Sequence, residues 1–301
     1  MTMPNFLIVG AQKAGTTTLA QHLSRHPQIY ISSVKEPGFF DFEGREPDFR
    51  GPNDQALYQH MVTDLKTYQS LFTKVAQERA IGEATTWYLY SPEAPKRIAH
   101  YIPTVKIVAI LRHPVDRAYS AFLHATRDRR ETVSDFTQAL DLETDRIAQN
   151  WEYLWRYQQM GFYATQLRRY FQHFDKSQIK IYLYEDLSQA PEALLSDLCD
   201  FLDVDSALMP KLSKRLNASG IPKNRLLHSL LSSPNPLRKM LKPLIPSQEL
   251  REQIRLRLKN RNLSKPRLSA ETRAELTQRY RADILQLEAL IDRDLSHWLR
   301  Q

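Results

Sequence analysis

The chain has 301 residues, 42% hydrophobic and 25% charged, a balance typical of a folded globular protein rather than a disordered or fibrous one. Its single cysteine excludes an intrachain disulfide framework and a cysteine-based zinc cluster. The net charge of +8 favours an anionic ligand, substrate or surface, although charge alone does not choose among nucleic acid, nucleotide, glycan and lipid.

The amino-terminal stretch, MTMPNFLIVG, has no basic segment followed by a long apolar one, so we expect no signal peptide. No apolar run approaches the ~18 residues of a membrane-spanning helix. From these features we expect a cytoplasmic protein.

Short apolar runs alternate with amphipathic stretches over the first two hundred residues. The apolar runs predict strands at 6–10, 28–32, 83–91, 106–112 and 179–187. Helical spacing and proline positions predict helices at 16–26, 92–102, 113–126, 161–174 and 191–204. This alternation predicts an α/β fold in three layers, with a central, mainly parallel sheet flanked by helices.

The composition changes after about residue 205, because the stretch 211–267 contains fifteen Lys and Arg but only two Glu. Prolines interrupt its apolar and basic residues, which argues against one continuous membrane helix. We expect 226–268 to form a substrate lid, a partner contact or an amphipathic membrane-surface segment, with a solvated basic face as the alternative. A long helix is predicted over 269–299, where Ser269 provides an N-cap signal.

The first predicted strand and helix are joined by a glycine-containing turn, in FLIVGAQKAGTTTLAQHL. Exposed amides at the start of the helix, the helix dipole and a loop lysine together predict a phosphate site. The loop differs from a Walker A loop, because its lysine lies inside the loop and Thr16 follows the second glycine. The predicted phosphate-binding residues are Lys13, Ala14, Gly15, Thr16 and Thr17.

A second anion site is predicted at the carboxyl end of the clearest strand, where Arg112 stands. Ligands of open α/β sheets bind at such strand ends, and a guanidinium grips phosphate through two parallel hydrogen bonds. Ser120, about two turns into the following helix, adds a hydroxyl donor. For Arg117 and Arg127 nearby, we expect solvated helix faces.

Three segments, in this order, resemble the family of sulfotransferases that use 3′-phosphoadenosine 5′-phosphosulfate (PAPS), in particular the heparan sulfate type. GAQKAGTT resembles the family's 5′-phosphosulfate loop, KEPGFF its KEPxFF segment, and LRHPVDRAYSAF its 3′-phosphate segment. The looser match GFYATQL…YLYEDL extends the resemblance to most of residues 4–205. The resemblance implies a P-loop-like fold and a single sulfotransferase domain over 1–301, with a core at about 4–205 and a basic carboxyl-terminal part at about 206–301.

The resemblance implies an enzyme that moves the sulfuryl group of PAPS to a hydroxyl or amine, of a small molecule or a glycan, by in-line displacement. The product of this transfer is 3′,5′-adenosine bisphosphate (PAP), and the reaction is expected to require no metal. The resemblance assigns Arg112 and Ser120 to the 3′-phosphate and makes Glu36 the base, while Lys13 stabilises the leaving phosphate.

Acceptor contacts are expected from the residues around Glu36, namely Lys35 and Phe39, and from Glu83. Glu83 begins GEATTWY, which resembles the family's EKSxxY segment but has Ala84 where the family has lysine. Glu83 is also the rival carboxylate, and a histidine such as His113 is a further candidate for the base.

The resemblance also implies a late basic loop that closes over the cofactor phosphates. In RLNASGIPKNRLL, this loop corresponds to Gly220, Lys223 and Arg225. An exposed basic linker is the alternative for this stretch.

Two other functions remain open at the level of sequence. A P-loop kinase or NTPase would need a Walker A lysine and an acidic magnesium ligand, and neither is evident. A PAP-binding module without catalysis is suggested only by Ala84. No nucleic-acid-binding module is recognisable, so no nucleic-acid partner is expected.

Overall fold

A five-stranded sheet forms the centre of the protein in a computed structural model, which describes residues 2–58, 61–210, 221–222, 263–264 and 266–300. All its strands are parallel, in the order β2-β3-β1-β4-β5. They are β1 (Phe6–Gly10), β2 (Ile29–Ile31), β3 (Ala80–Ala84), β4 (Lys106–Leu111) and β5 (Ile179–Leu183). The predicted α/β fold with a central parallel sheet is confirmed.

Helices connect and cover the strands. The described helices are α1 (Thr16–Leu23), α2 (Phe39–Phe42), α3 (Asp54–Tyr58), α4 (Leu65–Ser70), α5 (Ala94–Tyr101), α6 (Pro114–Arg127), α7 (Phe136–Asp141), α8 (Glu143–Ala148), α9 (Tyr163–Phe171), α10 (Tyr184–Gln189), α11 (Pro191–Phe201) and α12 (Ala270–Ile291). A short antiparallel pair joins β6 (Ile221–Pro222) to β7 (Leu263–Ser264). Among the described helices, none is both long and apolar enough to cross a bilayer.

The sheet interior explains the continuous apolar runs in the sequence. β1 is buried along its whole length and β4 along five of its six residues, because helices cover both faces of a parallel sheet. β1 pairs with β3 on one side and β4 on the other, so the strand order reverses at β1. Ligands of open α/β sheets bind at such a reversal, so the carboxyl ends of β1 and β4 are where a ligand site is expected.

Two predicted strands extend too far and are wrong beyond their first residues. The strand predicted at 83–91 ends at Ala84, and the following aromatic residues form turns. Trp87 and Tyr88 are nevertheless buried, so their apolar character reflects packing beneath a loop rather than strand pairing. The strand predicted at 179–187 ends at Leu183, where α10 begins.

The carboxyl-terminal helix α12 is shorter than the predicted 269–299 and ends where Asp292 adopts a left-handed conformation. The Ser269 hydroxyl caps its start by accepting a hydrogen bond from the Thr272 amide at 3.0 Å. One stripe of α12 is buried at helical spacing: Leu276, Tyr280, Ile284 and Leu287.

This helix supports the start of α9. The Asp283 carboxylate accepts a hydrogen bond from the Ala164 amide at 3.1 Å, and the Tyr280 hydroxyl donates to the Gln158 carbonyl at 3.0 Å. In the first residue of α9, the Tyr163 hydroxyl donates to the carbonyl of Arg112 at 3.0 Å. Helix α12 therefore contributes indirectly to the position of Arg112, the residue that follows β4.

Gly82 provides a test of the sheet register, because it lies opposite Phe6 and a Cβ at Gly82 would overlap the Phe6 ring. We expect Gly82→Ala to lower the free energy of unfolding by about 1–3 kcal/mol through overpacking. Urea unfolding measures this loss. In the Phe6→Leu background the added methyl should cost less, because the ring is gone. A Gly82→Ala variant as stable as the wild type would contradict this register.

Candidate active site

The loop between β1 and α1 leaves the start of the helix open to a ligand. Gly15 and Lys13 both have positive φ angles, 99° and 70°, so the chain turns sharply into the helix. No side chain in the described ranges caps α1. The amides of Thr16 and Thr17 in its first turn have no partner within the helix, and together with the helix dipole they favour an anion.

Close packing behind this loop requires glycine at position 15. A Cβ there would lie 2.9 Å from Leu187 Cδ2 and 3.4 Å from the Tyr184 ring, both in α10. The loop backbone therefore rests directly on the element that follows β5.

Lys13 is surrounded by other positively charged side chains. Burial and the nearby charges of Arg127, Lys35 and Arg112 lower its pKa to about 8, while Asp128 opposes the shift. Gathering cations at a half-buried lysine is unfavourable unless an anion joins them. The surroundings of Lys13 are therefore suited to a polyanionic ligand.

Arg112 connects the two predicted anion sites. Its Nη1 donates to the Lys13 carbonyl at 3.2 Å, and its guanidinium carbon lies 4.9 Å from the centre of the Tyr184 ring. Tyr184 was missed as a site residue because the sequence placed it inside a strand. An aromatic residue directly after a strand end was the signal that could have identified it.

Ser120 lies on α6 with its side chain directed inward. The residue is 7% exposed, and among the described residues its buried hydroxyl has no hydrogen-bond partner. A buried hydroxyl without a partner is costly, so this atom fits a bound group that accepts a hydrogen bond, as a phosphate would.

The solvated helix face predicted for Arg117 is wrong, and Arg127 is also largely enclosed. Arg117 is 0% exposed and donates to the Tyr157 carbonyl. The Arg127 side chain is 26% exposed and pairs with Asp128 at 2.7 Å. Periodicity did not reveal these contacts, because α6 is covered on more than one side.

The nearby histidines are engaged as neutral rings. Nε2 of His113 donates to the Trp298 carbonyl at 3.0 Å, its Nδ1 accepts from the Val115 amide at 3.3 Å, and burial lowers its pKa. Burial and Lys13 hold the pKa of His124 far below its usual range, and its Nδ1 lies 2.5 Å from Arg127 Nη2. With both ring nitrogens occupied, His113 is not free to act as a base.

Glu36 lies on the loop after β2, with a left-handed φ of 53°. Its Oε1 accepts a hydrogen bond from the Thr86 hydroxyl at 3.0 Å. Lys35 is exposed and lies within electrostatic reach of Lys13, so this loop borders the anion site.

Phe39 lies in the core, and the substrate contact predicted for it stays a prediction. Phe39 and Phe40 are both 0% exposed, and the Phe39 ring stacks on Tyr68 with the ring centres 4.6 Å apart. These two rings also pack against each other, with their centres 5.2 Å apart.

Glu83 is also buried, so the predicted substrate contact is not supported. It is 0% exposed and accepts hydrogen bonds from Thr85 Oγ1 at 2.8 Å and the Tyr68 hydroxyl at 3.3 Å. Burial raises its pKa to about 7, against the opposing effect of these hydrogen bonds. In this structure Glu83 contacts neighbouring side chains, and its contact with a substrate stays a prediction.

The predicted late loop residues Gly220, Lys223 and Arg225 lie outside the described residues, as does most of 226–268. Within the described ranges, no group of His, Cys, Asp and Glu is arranged to hold a metal ion.

The buried carboxyl of Glu83 gives a testable pH dependence. Its proton is held more tightly in the folded protein, so the wild type loses stability as the pH rises from the ordinary pKa of 4.5 to about 7. Glu83→Gln has no proton to lose. We expect its stability relative to the wild type to increase by about 2–3 kcal/mol between about pH 5 and about pH 8 in urea unfolding.

A matched control is Glu271→Gln, which changes an exposed glutamate in the first turn of α12. It should show no comparable change with pH. A stability difference between Glu83→Gln and the wild type that is the same at every pH would contradict the assigned environment.

Known proteins resemble this chain in sequence and in fold. The sequence profile described as "Sulfotransferase family" matches residues 4–207. The crystal structure of a sulfotransferase from Alicyclobacillus acidocaldarius superposes with a TM-score of 0.78 and 35% identity, covering 100% of both chains.

Curated relatives include two proteins named bifunctional heparan sulfate N-deacetylase/N-sulfotransferase. The protein of this name numbered 1, from Caenorhabditis elegans, is 29% identical to this chain over 204 residues. The protein numbered 4, from Mus musculus, is 30% identical to this chain over 204 residues. Each match covers 67% of this chain but 22% of the relative. The chain thus spans about a fifth of the length of these relatives. The profile match and the full-length structural likeness confirm the resemblance seen in the motifs, and the chain belongs to the sulfotransferase family of transferases.

Proposed function

We propose that this protein transfers the sulfuryl group of PAPS to a hydroxyl or amine acceptor. The observation that carries the proposal is the gathering of cations around Lys13 at the start of α1, with Arg112 bonded to the same loop. The buried hydroxyl of Ser120, which has no partner in the described part of the chain, suggests a second anion site. Two anion sites suit a nucleotide with phosphates at both the 5′ and 3′ positions.

Each donor-side residue has a distinct role in this proposal. Lys13 and the first-turn amides of Thr16 and Thr17 hold the 5′-phosphosulfate. Arg112 and Ser120 hold the 3′-phosphate, with the Tyr184 ring beneath the guanidinium. The late residues Gly220, Lys223 and Arg225 remain predicted contacts to the same phosphates.

The proposed reaction is a direct displacement at sulfur. The acceptor oxygen or nitrogen forms a bond to sulfur, while the bond between sulfur and the 5′-phosphate oxygen breaks and PAP leaves. The acceptor proton passes to the carboxylate of Glu36. Lys13 and the loop amides stabilise the negative charge that grows on the leaving phosphate. This scheme assigns charge stabilisation to the chain itself and needs no metal ion.

A carbohydrate acceptor is the proposal that agrees best with the relatives, whose names refer to heparan sulfate N-sulfotransferase. The net charge of +8 would favour a negatively charged glycan. Lys35, exposed beside Glu36, is available to contact it. The cytoplasmic location and a membrane-surface contact through 226–268 stay predictions.

The transfer is tested with ³⁵S-labelled PAPS and two probes, N-deacetylated heparosan as amine acceptor and heparosan as hydroxyl acceptor. We expect Glu36→Gln to lower kcat by about 10²–10⁴-fold, because it removes the base. PAP affinity should not change, because Glu36 does not hold the nucleotide. Glu46→Gln, an exposed glutamate further along the same connection, is the matched control.

The same assay distinguishes the alternatives. Full activity in Glu36→Gln would contradict the role of Glu36. Tight binding of PAP without transfer to a wider acceptor panel would favour a module that has lost catalysis. Phosphoryl transfer from ATP with magnesium, without PAP binding, would overturn the proposed function.

A further inference from the structure

The segment that follows β3 holds the loop of Glu36 at three successive points. Each contact joins a hydroxyl of this segment to a carboxylate or amide of the loop. The pairs are Thr86 Oγ1 to Glu36 Oε1 at 3.0 Å, Gly38 N to Thr85 Oγ1 at 3.4 Å, and Phe40 N to the Tyr88 hydroxyl at 3.2 Å. The loop is thus fixed along its length rather than at one end.

Glu83 determines which partner the Thr85 hydroxyl donates to. The Thr85 hydroxyl donates its hydrogen to Glu83 Oε2 at 2.8 Å. Its lone pairs are therefore left to accept from the Gly38 amide. Glu83 is 0% exposed and is held in turn by the Tyr68 hydroxyl, so this support is part of the core.

Glu36 itself needs such support. Its φ of 53° is in the left-handed region, which non-glycine residues adopt at a cost and keep only when their surroundings hold them there. Thr86 is 4% exposed, so little solvent competes for its hydroxyl. A buried donor bound to one carboxylate oxygen fixes the side chain and leaves the second oxygen available.

We propose that Thr86 is the positioning residue for the base of this enzyme. Its hydroxyl holds Oε1 of Glu36, so that Oε2 faces the acceptor and receives its proton. Thr86 does not touch the nucleotide or the acceptor and acts only through Glu36. This inference rests on the proposed function, in which Glu36 is the base.

The test compares Thr86→Val, which keeps the shape of threonine without its hydroxyl, with Thr86→Ser, which keeps the hydroxyl. With ³⁵S-labelled PAPS and N-deacetylated heparosan, we expect Thr86→Val to lower kcat by about 10–100-fold, because small displacements of a catalytic group are costly. The KM for PAPS and the affinity for PAP should stay within about twofold of wild type. Thr86→Ser should recover most of the lost kcat.

A double-variant cycle separates positioning from a general structural role. In the Glu36→Gln background, Thr86→Val should cost little further activity, since both changes remove the same function. Thr73→Val, which changes an exposed threonine bonded to the Ser70 carbonyl, is the matched control. Thr86→Ala replaces the valine variant if valine prevents folding, and PAP binding reports folding in every case.

Each result decides between the two claims. A wild-type kcat in Thr86→Val, an equal loss in the Glu36→Gln background, or no recovery by serine would overturn the role of Thr86 while leaving the proposed function intact. A wild-type protein that binds PAP but transfers no sulfuryl group to any acceptor would instead overturn the proposed function, and the role of Thr86 with it.

Discussion

Positive charge concentrated around a half-buried lysine is the constraint on which this structure depends. Lys13, Arg112, Arg127 and Lys35 are brought together by the ends of β1 and β4, by α6 and by the loop after β2. Burial and mutual repulsion lower the pKa of Lys13 to about 8, so the folded chain carries an unfavourable term that a polyanion relieves. An anionic ligand that binds here offsets the electrostatic repulsion among these cations.

The rest of the molecule keeps this site in shape from several directions. Helix α12 supports the start of α9, where Tyr163 bonds to the Arg112 carbonyl. The loop of Glu36 is held by hydroxyls after β3, one of which is bonded to buried Glu83. The two supports meet at β1, because the Thr85 and Leu89 amides donate to the carbonyls of Ile8 and Val9.

Sequence patterns predicted the parallel sheet and the turn between β1 and α1, because these depend on local periodicity and short motifs. They were less informative where burial depends on distant packing. Apolar residues at 85–91 satisfy strand rules yet form turns beneath the loop of Glu36, and Arg117 has a polar side chain yet is fully buried. Glu83 and Thr86 are close in sequence but make different contacts. Only the folded chain shows that Glu83 is fully buried and that the Thr86 hydroxyl bonds to Glu36.

The most direct test of the charged site is calorimetric titration of the wild-type protein with PAP and with adenosine 5′-monophosphate at about pH 7 and about pH 9. At pH 7 we expect PAP to bind at least about a hundredfold more tightly than adenosine 5′-monophosphate does. The reason is that Arg112 and Ser120 add charge-assisted hydrogen bonds to the 3′-phosphate of PAP. PAP affinity should fall about tenfold by pH 9, as Lys13 loses its proton in the free protein. Equal affinity for the two nucleotides, or PAP affinity that does not change with pH, would contradict this view of the site.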